Sequence, residues 1–350
     1  MAGGTGDPVV SEYDDVEIVT ASANGFAYLE HWHKFFKPYH IVAVHTGDPQ
    51  QKVDLPEGLD VDLYDTTDFE RKLGSKAWIF QGGSSCVRSF GFLFTKRRFI
   101  FTIDEGCFVG KKPNGETINA LRQHVLNLIT PATPFFFNTL YDPYSKGSDF
   151  VRGYPFTLRQ GVPTALSHGL WSNVPDYDAP TRMCKPMERN DHYVDAVLTV
   201  PKGSLFPMSG RNVAFDRKLI GVAMYFALPG KDTTSFIYPD MWAGWVVKVI
   251  CDHLGLGVKT GLPYLACSPP SKDQLEHLQA EQNPILLQEE IIPFFQNVQL
   301  SPSSNTARLC MLELADKVRD QLSAIDPWFA TLADAISCWV DVWEEFNPND

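Results

Sequence analysis

The sequence predicts an α/β protein built on a mostly parallel central sheet, with a helical pair near its C-terminal end. Three observations carry this. Short apolar, β-branched runs recur through the first third of the chain, separated by helix-like segments. At least two of these runs end directly in polar turn residues, as strands of a doubly wound sheet do. Beyond residue 300 the apolar period changes to that of helices. A chain of 350 residues, 44% of them hydrophobic, is long enough to bury such a sheet.

The elements follow in order. Val16-Glu17-Ile18-Val19-Thr20 reads as a buried strand, and Tyr28 to Phe36 as a short amphipathic helix stopped by Pro38. His40 to His45 is a second strand, closed by the turn signal Gly47-Asp48-Pro49. Trp78-Ile79-Phe80 is expected to be a third, followed by a Gly-Gly-Ser-Ser turn and a helix from Ser85 to Lys96. Arg98 to Ile103 is a fourth and runs straight into Asp104-Glu105. In such sheets ligands bind beyond the carboxyl ends of the strands. That rule puts Thr20–Asn24, His45–Asp48 and Asp104–Cys107 on one rim.

The middle of the chain is irregular and rich in Pro, Gly and aromatics. Val194 to Val200 reads as a strand, Asp240 to Leu254 as a helix stopped by Gly255, and Val258 to Leu265 as an edge strand. Ser268-Pro269-Pro270-Ser271 and Ser301-Pro302-Ser303-Ser304 read as linkers. Leu309, Leu312, Ala315, Val318 and Leu322 then repeat at helical spacing. A second helix carries Phe329, Leu332, Ala333, Ile336, Trp339, Val340 and Trp343, with Asp326 as N-cap and Pro327 at its first position. The expected organisation is a flexible N-terminus over 1–15, a main domain over 16–265, a linker region over 266–304 and a helical extension over 305–346 packed on that domain.

Composition excludes several classes of function. The net charge is −12, and the longest basic run is Lys96-Arg97-Arg98, so no nucleic-acid partner is expected. Seven scattered cysteines without a C-x-x-C fit reduced thiols, not a disulfide framework or a zinc site. The N-terminus lacks the basic and apolar regions of a signal peptide. The most apolar stretch, residues 241–258, is broken by Lys248, Asp252 and His253, so no transmembrane segment is expected and the protein reads as cytosolic.

Four constellations are candidates for chemistry. In Thr102-Ile103-Asp104-Glu105-Gly106-Cys107, acids at the end of a buried strand need a partner, and a divalent cation on a nucleotide diphosphate is one, as in glycosyltransferases; a strand-end turn cap is the other reading. Arg152 and Arg159, set among Gly and aromatics in an acidic chain, suit diphosphate or sugar recognition, or a surface pair with Asp149. His168-Gly169-Leu170-Trp171 stands with Asp176-x-Asp178. Asp240, opening Asp240-Met241-Trp242-Ala243-Gly244-Trp245, is a helix cap or an acceptor-side acid.

The strings at 135–144, 149–159, 161–171, 175–181, 193–197, 240–245 and 249–254 resemble the plant and algal reversibly glycosylated polypeptides, or UDP-arabinopyranose mutases, and the similarity runs from about Val16 to Pro348. The resemblance implies a GT-A-like nucleotide-diphospho-sugar-binding fold and interconversion of UDP-L-arabinopyranose and UDP-L-arabinofuranose. It implies reversible self-glycosylation on arginine, a cytosolic protein peripherally associated with the Golgi surface, and homo- or hetero-oligomers with paralogues. By position Arg152 matches the glycosylated arginine and Arg159 the second required arginine. Asp240 is carried as a third catalytic candidate. Thr20, Asp48, Asp104, His168, Asp176 and Asp178 are the expected UDP-sugar contacts, with Asp104 and Glu105 as ligands of a weakened Mn²⁺ or Mg²⁺ site. The chain departs from the family pattern on this rim: Glu105 and Gly106 stand for the second and third acids, Cys267 for a histidine, Ala21-Ser22-Ala23-Asn24 for a Pro-Thr-x-Arg run and Thr46 for an Asp. Two expectations follow, an active mutase or a weak subunit that stabilises active paralogues.

Overall fold

The structure is a computed structural model describing residues 14–80, 84–145, 147–226, 239–268 and 274–348. Its centre is one sheet in the order β3-β2-β1-β4-β8-β6-β9-β5, with β7 added against β9. The strands are β1 (Val16–Ser22), β2 (His40–His45), β3 (Asp60–Asp65), β4 (Phe99–Asp104), β5 (Cys107–Val109), β6 (Thr164–Ser172), β7 (Val197–Thr199), β8 (Asn212–Asp216) and β9 (Gly257–Cys267). β3, β2, β1, β4, β6 and β9 run one way, while β8, β5 and β7 run against them. This is the α/β class with a mostly parallel sheet that the sequence predicts.

Alternation along the inner strands builds a core on each face. Val19, Ala21, Val42 and Val44 point into one cluster; Val16, Ile18, Ile41 and Ala43 point into the other. Helices cover both: α1 (Thr66–Leu73), α2 (Ser84–Phe92), α3 (Ala120–Ile129), α4 (Pro239–Leu254), α5 (Gln274–Asn297), α6 (Ala307–Leu322) and α7 (Trp328–Phe346). The terminal pair α6 and α7 packs on its own domain. Trp339 stacks on Tyr225, with ring centroids 5.2 Å apart, and its indole donates to the Val222 carbonyl at 2.7 Å. Among the described residues no helix is long and apolar enough to cross a membrane.

Several expectations change. Trp78-Ile79-Phe80 is not a strand but the end of a 3-10 turn over Gly74–Phe80, which lets Ile79 and Phe80 enter the core from beside α7. The strand that actually flanks β2 is β3, whose alternating acids suit a sheet edge. The segment Tyr28–Phe36 is a 3-10 turn followed by one α-turn. β9 is not an edge strand: it lies between β6 and β5 and also pairs β7. The span 266–304 is not a linker throughout, because α5 occupies most of it and buries Ile291, Phe294 and Phe295. Pro284 and Pro293 inside α5 hid it, since proline weakens a helical reading. Residues 1–13, and 269–273 with the Pro-Pro linker motif, lie outside the described residues.

Candidate functional site

Parallel pairing brings the expected rim together. β1 aligns Ser22 with His45 of β2 and Ala21 with Asp104 of β4, so the three strand ends meet. Directly beyond β4, Gly106 takes φ +80°, a conformation suited to glycine, and turns the chain into β5. There Cys107 sits opposite Cys267 of β9, with the two Sγ atoms 3.6 Å apart. The contact between the two thiols raises Cys107 and lowers Cys267, and Arg211 lowers Cys267 further.

Each acid at this rim already has a partner. Asp104 forms an ion pair with Arg88, a guanidinium wholly buried on α2. Burial pulls Arg88 down to about 10, against the opposing charge of Asp240. Glu105 accepts from Ser22 Oγ at 2.7 Å and from Asn24 Nδ2 at 2.9 Å. Asp240 accepts from the backbone N–H of Gly210 at 2.9 Å and of Met241 at 3.1 Å. Asp176 faces Arg211, Nη1 to Oδ1 3.6 Å. Among the described residues no three His, Cys, Asp or Glu side chains converge to hold a metal. On a diphosphate Mg²⁺ or Mn²⁺ takes one or two carboxylates and fills its shell with phosphate and water oxygens; here Asp104 is paired with Arg88 and both Glu105 oxygens accept from Ser22 and Asn24, so the two acids nearest the strand end fit it poorly.

The other expected contacts are engaged in local structure. Thr20 is fully buried, its hydroxyl bonded to Tyr28 Oη and donating to the Ile103 carbonyl at 3.0 Å, so it belongs to the core and not to the rim. Asp178 caps the short helix Ala179–Cys184, accepting from Thr181 N at 2.7 Å. Asp48 closes an exposed turn by accepting from Gln50 N at 2.9 Å. His168 is buried, held by Thr260 Oγ1 at 3.1 Å, and burial takes it down to about 4. Its Nε2 has no partner, and neither ring nitrogen of buried His45 has one.

Residues 130–163, the arginine segment, connect α3 to the start of β6. The connection is pinned by a buried ion pair, Lys259 Nζ to Asp142 Oδ2 at 3.0 Å, and by Asp142 N donating to the Val197 carbonyl at 2.8 Å. Tyr154 packs on Phe136 and Phe150. Arg159 lies between Phe156 and Phe150, at 3.9 and 5.0 Å from their centroids, while Arg152 is exposed. Phe135, Phe137, Tyr141 and Phe156 are also exposed. Through the paired register Lys259 lies level with Ser167, Ala214 and Phe101, three positions short of Asp104 along the strands.

Arg211 is the rim residue that sequence reasoning missed. It opens no recognisable motif, and only the position of β8 between β4 and β6 reveals it.

Fold and rim together define an α/β protein whose strands β1, β2 and β4 end on one common edge. The family model for the reversibly glycosylated polypeptide matches residues 11–348, and the chain belongs to that family. It is 54% identical over 335 residues to UDP-arabinopyranose mutase 2 of Arabidopsis thaliana, covering 96% of this chain and 93% of that one. It is 54% identical over 336 residues to UDP-arabinopyranose mutase 1 of Oryza sativa subsp. japonica, covering 96% and 92%. A solved structure of glucosyl-3-phosphoglycerate synthase from Mycobacterium tuberculosis is similar at 13% identity over 86% of each chain, with a TM-score of 0.41.

Proposed function

We propose that this chain interconverts UDP-L-arabinopyranose and UDP-L-arabinofuranose and supplies plant or algal cell-wall polysaccharide synthesis. The observation that carries the reading is the 54% identity, over 96% of the chain, to proteins named UDP-arabinopyranose mutase. The nucleotide-sugar sits at the rim of Ser22–Asn24, His45–Asp48 and Asp104–Cys107, where strand-end geometry favours a ligand. The protein works in the cytosol, with peripheral association at the Golgi face. Incubating the purified chain with UDP-L-arabinopyranose and resolving products by chromatography tests this: the furanose form is expected, and its complete absence refutes catalysis by the chain alone. That result would favour the second reading, a weak subunit of a mixed oligomer, which is supported by rim acids that are already paired.

Arg152 is the proposed site of reversible glycosylation, with Arg159, held by Phe150 and Phe156, as the second arginine. In that transfer an Arg152 nitrogen bonds to the sugar anomeric carbon, the bond to UDP breaks and the nitrogen's proton passes to a base. Transfer of radiolabelled sugar from a UDP donor to the chain should be lost in Arg152→Lys and lowered in Asp104→Ala, and label mapped to Ser, Thr or Tyr would refute the assignment.

A further inference from the structure

We infer that the diphosphate of a bound nucleotide-sugar is neutralised in this chain by the Arg211 guanidinium and not by a divalent cation. The inference rests on the nucleotide-sugar reading of the rim. A cation at this edge would compete with Arg88 for Asp104 and with Arg211 for Asp176, and would find both oxygens of Asp240 and of Glu105 already accepting hydrogen bonds. Gly106 adds no ligand, and Cys267 offers soft sulfur where Mg²⁺ and Mn²⁺ favour oxygen.

Arg211 is positioned by its neighbours on both sides. The Gly210 peptide is clamped, its N–H donating to Asp240 Oδ2 at 2.9 Å and its carbonyl accepting from Arg88 Nη1 at 2.6 Å. Asn212 is fixed by donating to the carbonyls of Leu170 at 2.8 Å and Pro263 at 2.9 Å, and by accepting from His124 Nε2 at 2.8 Å. The backbone between them has little freedom left, so binding costs only the order of one side chain.

The guanidinium is also available. Its carbon lies 5.6 Å from the Trp171 ring centroid, and 34% of the side chain stays exposed. At 3.6 Å the contact with Asp176 is an ion pair too long for a hydrogen bond, so the planar fork of N–H donors remains uncommitted. That fork matches phosphate oxygens two at a time. Arg88, by contrast, is sealed behind Asp104 and supports the turn without reaching a ligand.

Calorimetric titration with UDP, and with uridine as a probe lacking phosphate, tests this in EDTA and in MnCl₂. Wild type should bind UDP in EDTA, with Mn²⁺ changing the affinity less than about threefold, whereas Arg211→Ala should weaken UDP about tenfold or more and Arg211→Lys by less. Uridine affinity should be the same in all three proteins, which a general disturbance of the rim would not allow. UDP binding by wild type that requires Mn²⁺, unchanged UDP affinity in Arg211→Ala, or an equal loss of uridine would each overturn the inference while leaving the nucleotide reading intact. Failure of wild type to bind UDP in either buffer would overturn both.

Discussion

Acidification should unfold this protein through two histidines before its carboxylates are titrated. His124 on α3 is fully buried, bonded to Ser167 Oγ and Asn212 Oδ1, each at 2.8 Å. Asn212 Oδ1 only accepts, so the neutral ring carries its proton on Nε2, and a second proton on Nδ1 would meet a site already filled by the Ser167 hydroxyl. Burial takes His124 down to about 3 from 6.5, and His168 down to about 4. Between those values and 6.5 the unfolded chain binds more protons than the folded one, so stability is complete above the unfolded value and falls as pH drops. Each histidine contributes a slope that grows from half to nearly all of 1.4 kcal/mol per pH unit, so lowering the pH from about 6.5 to about 5 should remove about 3 kcal/mol. That is a large share of the roughly 5–15 kcal/mol by which domains are stable. Urea unfolding across this range measures it, with His168→Gln expected to remove about half the slope and His124→Gln the other half, whatever each costs at neutral pH. A flat profile through this window, or one unchanged in both variants, would refute the assignment of buried neutral histidines.

Three further outcomes follow from particular contacts. Lys259→Met strands the buried Asp142 carboxylate and should cost about 3–5 kcal/mol by denaturant unfolding, most of it recovered on adding Asp142→Leu. Gly106→Asp should be destabilising by about 1–2 kcal/mol and should gain no Mn²⁺ affinity by equilibrium dialysis, because φ is +80° and a Cβ would lie 2.7 Å from Ser268 Oγ. A mild oxidant that takes two electrons and two protons should join Cys107 to Cys267, a loss of two hydrogens visible by mass spectrometry and absent in Cys267→Ser.

What the sequence disclosed, and what it hid, has a physical pattern. β1, β2 and β4 were legible because strands buried on both faces need continuous apolar residues, and their ends foretold which loops would meet. β3 was illegible because Asp60 and Asp62 face solvent at an edge, although Asp65 and Asp68 form a capping box that marks the start of α1. At the rim, Asp104 was found from its position at a strand end, but its partner Arg88 lies sixteen positions earlier on a helix, and no spacing rule links the two. Thr20 was misread for a related reason: strand position gives the level of a residue along the sheet, whereas only packing tells whether its side chain turns towards Tyr28 or towards solvent. Arg211 was invisible because it gains meaning from the clamp on Gly210, which joins three distant segments.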